Sequence, residues 1–454
     1  YRKGYFRQRI DASGWQHEYW VDTDPQRLPA ARVTDADGAP IAIQVPIYDT
    51  DVVAHIWRVD VGRVPLFLLD TDISRNGPIE RWITARLYEA DARTRLAQYV
   101  LLGVGGIRAL EALGLEPGVI HLNEGHAALA PLASTDGARE RTVFTTHTPV
   151  AAGNDSYPAD HVREALSGLR AELGLADGEV IALGRTNPED QGEPFGVTQA
   201  ALRMSRAANA VSRRHGEVAR EMWQPVWPER GAEQVPIGHV TNGVHVPTWI
   251  GGHMRALLDR HFGADWCRRV ADPVTWEAVD RIPEAELWEV RERQRSELIE
   301  FVRRRSTQDR LMRSDVREYA EAAARVFDPD VLTIGFARRV ATYKRLDLLT
   351  RDPEWTMALL GGDRPVQVVL AGKAHPRDEE AKHSLQRLFG LKYARVVGER
   401  VVYLDDYDLA TAAVLVRGAD VWLNVPRPPL EASGTSGMKS AFNGGLQLLS
   451  LIHI

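Results

Sequence analysis

VLTIGF at Val331–Phe336, VQVVLAGK at Val366–Lys373, RVVYLDD at Arg400–Asp406 and DVWLNV at Asp420–Val425 punctuate the stretch of sequence that decides the fold. Each is a short, continuous apolar run, the pattern of a strand buried on both faces as in a parallel sheet. Helix-like segments separate them, among them EEAKHSLQRLFG at Glu379–Gly390 and LATAAVLVRG at Leu409–Gly418. Such alternation predicts an α/β domain built on a doubly wound sheet. A similar series lies upstream, with GVIHLN at Gly118–Asn123, RTVFTTH at Arg141–His147, AANAVS at Ala207–Ser212 and PIGHVTN at Pro236–Asn242. Two doubly wound, Rossmann-like domains facing a cleft are therefore expected. Residues 15–70 alternate apolar and polar positions around a DADG turn at Asp35–Gly38, which predicts an accessory antiparallel sheet near the N-terminus. Residues 276–325, with VRERQRSELIEFVRRR at Val290–Arg305, favour helix. Their basic run reads as a solvated face, because glutamates interleave with the arginines. The expected organisation is an N-terminal domain over 1–240, a helical connector over 241–329 and a C-terminal domain over 330–454.

Composition narrows the function. At 454 residues and 44% hydrophobic content, the chain exceeds the size at which single cores stop growing, which agrees with two domains. A formal net charge of −6 gives no general attraction to nucleic acid or to anionic membranes, so any cationic site must be local. The single cysteine, Cys267, excludes an intrachain disulfide and fits a reducing compartment, here the cytoplasm. No stretch approaches a membrane span. The start at YRKGYFRQ, without an initiator Met, reads as an internal fragment.

In open parallel sheets ligands bind beyond the carboxyl ends of the strands. The chemically interesting residues gather there: Asn123, Glu124 and His126 after VIHL, His147 after TVFTT, Asn242 after GHVT, Arg338 and Arg339 after LTIGFA, Lys373 after VVLAG, and Asp405 to Tyr407 after VVYL. GFARRVATYKR at Gly335–Arg345 places Arg338, Arg339, Lys344 and Arg345 in one strand-to-helix turn. That is a dense positive cluster in an acidic chain, suited to phosphate groups. HLNEGH at His121–His126 lacks the frame of a helical zinc site, and no metal is expected. Asp405 and Asp406 are neighbours on a strand and point to opposite faces, so they do not flank one glycosidic bond as a hydrolase pair.

EASGTSGMKSAFNGG at Glu431–Gly445 sets Lys439 where a loop of small residues becomes a hydrophobic segment. Backbone N–H groups and hydroxyls ahead of an amine suit an aldehyde cofactor that bears a phosphate. Taken alone, the run equally fits a solvated lysine after a flexible loop.

This run resembles the pyridoxal-phosphate attachment signature of the glycogen (α-glucan) phosphorylases. HLNEGH, FTTHTPVAAGND at Phe144–Asp155, VTNGVHVPTW at Val240–Trp249 and GFARRVATYKR resemble further blocks of that family, in family order, and the pattern is nearest to the shorter, bacterial-type members. The resemblance runs from Tyr1 to about Gln447. It implies the GT-B type of glycosyltransferase architecture, with a glucan-binding first domain and a pyridoxal-phosphate-binding last domain. It also implies phosphorolysis of α-1,4-glucan by inorganic phosphate to α-glucose 1-phosphate with retained configuration. Lys439 would carry pyridoxal 5'-phosphate, with Arg338, Thr435 and Ser436 near the cofactor phosphate. Arg339 and Lys344 would bind inorganic phosphate. His147 would contact the sugar at its 6-hydroxyl and help hold the developing cation. Asn242, Tyr407, Glu431, Ser433 and Gly434 would bind the sugar, and Asn123, Glu124 and His126 would line the same cleft. The partners implied are α-glucan and phosphate, with homo-oligomers possible and neither nucleic acid nor membrane involved. The family's upstream glycine-rich segment is absent here, and LSLIHI at Leu449–Ile454 departs from its pattern. The second domain is thus expected to be incomplete. A nucleotide-sugar-dependent α-glucan synthase of the same fold and an inactive glucan-binding fragment stay open as alternatives.

Overall fold

The computed structural model describes residues 1–87, 89, 91–133, 137–391 and 395–449. The LSLIHI end therefore lies, from residue 450 onward, outside the described residues. The chain divides into two compact units, one of residues 1–6 and 20–241 and the other of 7–19 and 242–454. The fold is mixed α/β with parallel sheets. No described helix is long and apolar enough to cross a membrane.

Strands β1 (Arg7–Ile10) and β2 (Gln16–Tyr19) form an antiparallel hairpin that belongs to the second unit. This corrects the expectation for the start of the 15–70 segment, because alternation identifies a strand and says nothing of which strand it will pair with. β3 (Ala31–Arg32), β4 (Ala42–Ile47), β5 (Thr50–Val61) and β6 (Val64–Asp70) make the expected antiparallel sheet, with β5 paired to each of the others. The helix α1 (Ala92–Ala112) follows. β7 (Ile120–Asn123) and β8 (Thr142–Thr145) begin the first unit's parallel sheet. β9 (Ser156–Tyr157) and β10 (Phe195–Gly196) are a minor pair. β11 (Ala207–Ala210) and β12 (Ile237–His239) then complete a sheet of order β12-β11-β8-β7.

In the second unit α2 (Glu284–Met312) precedes β13 (Leu332–Ala337) and β14 (Val366–Ala371). α3 (Glu379–Gly390), β15 (Val401–Leu404), α4 (Leu409–Gly418), β16 (Val421–Asn424), α5 (Thr435–Ala441) and β17 (Leu446–Leu449) follow. The sheet is parallel, in the order β15-β14-β13-β16-β17. Strand order thus reverses between β13 and β16, the place where doubly wound sheets open a crevice. Both faces of this sheet are covered. Val368 and Leu370 enter one apolar cluster with Leu385 and Phe389 of α3, whereas Val369 and Ala371 enter another with Leu298 of α2 and Leu415 of α4. That is why the strand runs are mainly apolar, with Thr333 and Gln367 as buried polar exceptions in β13 and β14.

The basic run of α2 is only in part the solvated face its sequence predicts, with Arg293 and Arg304 exposed. Glu292, Glu297 and Glu300 are exposed, but Arg291 and Arg295 are buried. The Arg291 guanidinium donates to the carbonyls of Arg417, Ala419 and Asn443 at 2.6, 2.7 and 2.7 Å, and Arg295 donates to Asp420 at 3.0 Å. A helix ends with unsatisfied carbonyls, and a five-donor fork satisfies several of those closing α4 at once.

Candidate functional site

The expected residues do lie at or just past strand ends, in two sets, one in each unit. In the first unit β7 delivers Asn123, which is exposed, and Glu124, which has a left-handed backbone (φ 63°). Glu124 is occupied within the loops: its carboxylate accepts from the His147 N–H at 2.7 Å and the Thr148 hydroxyl at 3.0 Å. It therefore fixes the turn that presents His147. Burial lowers the pKa of His147, and its Nε2 is buried without a hydrogen-bond partner among the described residues. His126 is half-buried against Tyr99, with ring centroids 5.5 Å apart, and burial lowers its pKa too.

One residue of this set escaped the sequence reading. His215 is fully buried, its Nδ1 accepts from the Val211 N–H at 3.3 Å, and burial pushes its pKa down to about 4, with His147 adding to the shift. The Thr148 backbone opposes that fall. A lone histidine in SRRHGEV carries no sequence signal, since only the fold sets it beside His147.

In the second unit the turn after β13 is tied to that after β14: Arg338 and Val340 donate their N–H groups to the carbonyls of Ala371 and Lys373 at 3.1 and 3.0 Å. Gly372 is required there, as a Cβ would fall 2.0 Å from the Arg338 carbonyl oxygen. The chain then turns so that Lys344, in a 3-10 turn at Thr342–Lys344, becomes buried. Arg345 holds a left-handed backbone (φ 58°) and bonds the Val425 carbonyl beyond β16. Backbone strain of this kind gathers at functional sites.

Here the structure joins two residues that the sequence placed in separate roles. Lys344 Nζ donates to Glu431 Oε2 at 2.6 Å, and Arg338 Nη2 lies 3.9 Å from the same oxygen. Burial and the neighbouring Arg338 push the Lys344 ammonium down to about 8, with the Glu431 carboxylate opposing them. Burial lowers Arg338 as well, and its Nη1 has no partner among the described residues. Tyr407, half-buried after β15, feels the Arg338 charge, and burial raises it to about 12. Arg339 is exposed.

Past β16, Ser433, Gly434, Thr435 and Ser436 are partly buried and lead into α5, which begins at Thr435. The Trp422 indole N–H donates to the Ser436 hydroxyl at 3.1 Å, which leaves the hydroxyl proton for another acceptor. Lys439 lies on α5 with Nζ 3.8 Å from the Trp249 ring centroid. Burial lowers its pKa, and among the described residues no carboxylate is within ion-pair distance. Asn242 is half-buried at the start of the unit. Lys373 and the two aspartates after β15 are already paired: Lys373 with Asp406 at 2.6 Å, and Asp405 with Arg313 at 2.8 Å. Burial and neighbouring Asp309 hold Asp405 up at about 7, against the pull of Arg313.

A strand-end cluster of largely buried cations with one carboxylate, followed by a lysine with no carboxylate partner among the described residues, marks a local cationic site in this α/β protein. Residues 188–451 match the family model described as "Carbohydrate phosphorylase". The chain is 42% identical to a glycogen phosphorylase of Mycobacterium tuberculosis and 40% identical to a maltodextrin phosphorylase of Thermococcus litoralis; each match covers 99% of this chain and 54% of the relative. A glycogen phosphorylase of Aquifex aeolicus is 38% identical, over 99% of this chain and 66% of its own length. The chain belongs to the carbohydrate phosphorylase family, and it spans about half the length of the first curated relatives it matches.

Proposed function

We propose that this chain is the core of an α-glucan phosphorylase, a glycosyltransferase of GT-B type with two Rossmann-like domains. It would use inorganic phosphate to release α-glucose 1-phosphate from α-1,4-glucan with retained configuration. The observation that carries this is Lys439: a partly buried amine of lowered pKa, with no carboxylate partner among the described residues, close in sequence to the half-buried Glu431 of the Arg338–Lys344 cluster. Such an amine suits an aldehyde, and the unpartnered Nη1 of Arg338 suits a phosphate, so the residues present fit pyridoxal 5'-phosphate.

Lys439 holds the cofactor, and Arg338 with the hydroxyls of Thr435 and Ser436 receives its phosphate. When bound, the cofactor supplies that phosphate as proton partner of the substrate phosphate. Arg339 and Lys344 gather inorganic phosphate and orient it to give the glycosidic oxygen a proton. Because Lys344 is paired with Glu431 beforehand, an arriving phosphate competes for the ammonium and releases the carboxylate toward sugar hydroxyls. Glu431, Ser433, Gly434, Asn242 and Tyr407 bind sugar, as do Asn123 and His126, while Glu124 contributes through the turn it holds at His147. His147 contacts the sugar and steadies the positive charge that develops on it. These are positioning and electrostatic tasks, with no redox step.

The test is product analysis on the protein extended to the length of its relatives, given maltodextrin and phosphate. Phosphate-dependent appearance of α-glucose 1-phosphate is expected. Glucan elongation from a nucleotide sugar without phosphorolysis would instead identify a synthase, and the reading would fall.

A further inference from the structure

The helix that carries Lys439 is only seven residues long, Thr435–Ala441. Two turns of helix do not hold themselves rigid in water, so the amine is placed by whatever anchors them. Asn443, just beyond the helix, is completely buried. Its carboxamide nitrogen donates to the Lys439 carbonyl at 2.8 Å and to the Trp249 carbonyl at 3.1 Å. Its oxygen accepts from the Gly251 N–H at 2.7 Å and from Gln294 Nε2 at 3.4 Å. Two donors and two lone pairs are all that a carboxamide offers, and here all four are used.

The Trp249 segment is pinned a second time, since Arg417 donates to the carbonyls of Trp249 and Thr248 at 3.3 and 3.2 Å. A Cβ at Gly251 would come 2.6 Å from Gln294 Nε2 and 3.3 Å from Asn443 Oδ1, so a side chain there would displace the Gln294 carboxamide from Asn443. The Trp249 backbone is therefore anchored, its side chain packs against the apolar cluster that holds Leu298 and Leu415, and its ring centroid lies 3.8 Å from Lys439 Nζ. Among the described residues no carboxylate competes for that ammonium, so the electron-rich indole face is its seat. Resting on the cofactor reading above, we propose that Trp249 and Asn443 are positioning residues for Lys439: the indole seats the amine, and the buried carboxamide locks the carbonyls of Lys439 and Trp249 to one another, so that the amine stands ready for the aldehyde of pyridoxal phosphate.

The first readout needs no cofactor. Reductive methylation with ¹³C-formaldehyde keeps a lysine cationic, and a methyl carbon over an indole face resonates upfield of those on solvated lysines. The Lys439 signal, assigned by its loss in Lys439→Arg, is expected upfield in the native chain. It should stay displaced in Trp249→Phe, which keeps an aromatic face, and return to the solvated position in Trp249→Leu. Asn443→Asp keeps the size but turns a carboxylate oxygen toward two carbonyls, and should also lose the displacement. The second readout is borohydride fixation of pyridoxal phosphate. Labelling at Lys439 should fall about ten-fold in Trp249→Leu and Asn443→Asp and recover in Trp249→Phe, while labelling at exposed lysines stays the same. A Lys439 signal at the solvated position in the native chain, or one that ignores Trp249→Leu, overturns the proposal. Absence of labelling at Lys439 alongside the expected methyl shifts overturns the cofactor reading and leaves the seat established.

Discussion

At the scale of single residues the account turns on the Lys344–Glu431 pair. The ordinary lysine value of 10.5 falls to about 8 for Lys344, through burial and the Arg338 charge, and the Glu431 carboxylate keeps it from falling further. A lowered ammonium pKa means that the charge is present below about pH 8 and lost as pH rises through it. Anion affinity at this site should therefore decline above that pH. Glu431→Gln removes the group that opposes the fall, so the midpoint should move to lower pH. Sulfate is the right probe for calorimetry, as its own charge is constant over the range. An unchanged midpoint in Glu431→Gln would show that the pair is not what sets the titration. The sequence located both residues and left their pairing unread, because a contact between positions 344 and 431 depends on how two strand-end turns meet.

At the scale of elements, most of the α/β alternation was written in the chain. The segments at Glu379–Gly390 and Leu409–Gly418 form helices with those bounds, and the apolar runs between them form the strands of the second sheet. What escaped was pairing and burial. The β1–β2 hairpin joins the second unit through Gln8, which donates to the Gly372 carbonyl at 3.0 Å, and Gln16, which donates to the Ala374 carbonyl at 2.8 Å. Gln8, ahead of the alternating segment, and Gln16, within it, look like solvent-facing positions. The buried arginines of α2 were hidden for a similar reason, since Arg291 is held by backbone carbonyls and Arg295 by the distant Asp420, and neither contact leaves a trace in composition. The close approach of α2 and α4 makes a test. A Cβ on Gly418 would fall 2.4 Å from Leu298 Cβ and 2.7 Å from the Gln294 carbonyl oxygen. Gly418→Ala should lower stability by about 1–3 kcal/mol through overpacking. In α1 of the first unit nothing lies within 4 Å of a Cβ added to Gly106, so Gly106→Ala should stabilise by about 0.5–1 kcal/mol through helix propensity. Urea denaturation followed by circular dichroism measures both, and a stabilising Gly418→Ala would contradict the packing described.

At the scale of the whole molecule, the chain carries its strand-end polar residues in two units while spanning about half the length of the relatives first matched. Catalysis by the complete protein is one question, and the identity of the lysine that holds the cofactor is another that this chain can answer directly. Three lysines of the second unit lie close to strand-end turns or the loop after β16: Lys344 is committed to Glu431, Lys373 to Asp406, and Lys439 to no carboxylate among the described residues. An aldehyde needs an uncommitted amine, and the lowered pKa of Lys439 makes a neutral one more accessible. The decisive measurement is incubation of the purified chain with pyridoxal 5'-phosphate, borohydride reduction and peptide mapping by mass spectrometry. The account predicts a single dominant adduct on the peptide containing Lys439, lost in Lys439→Arg. Dominant labelling at Lys344 or Lys373, or no site-selective labelling at all, would contradict it.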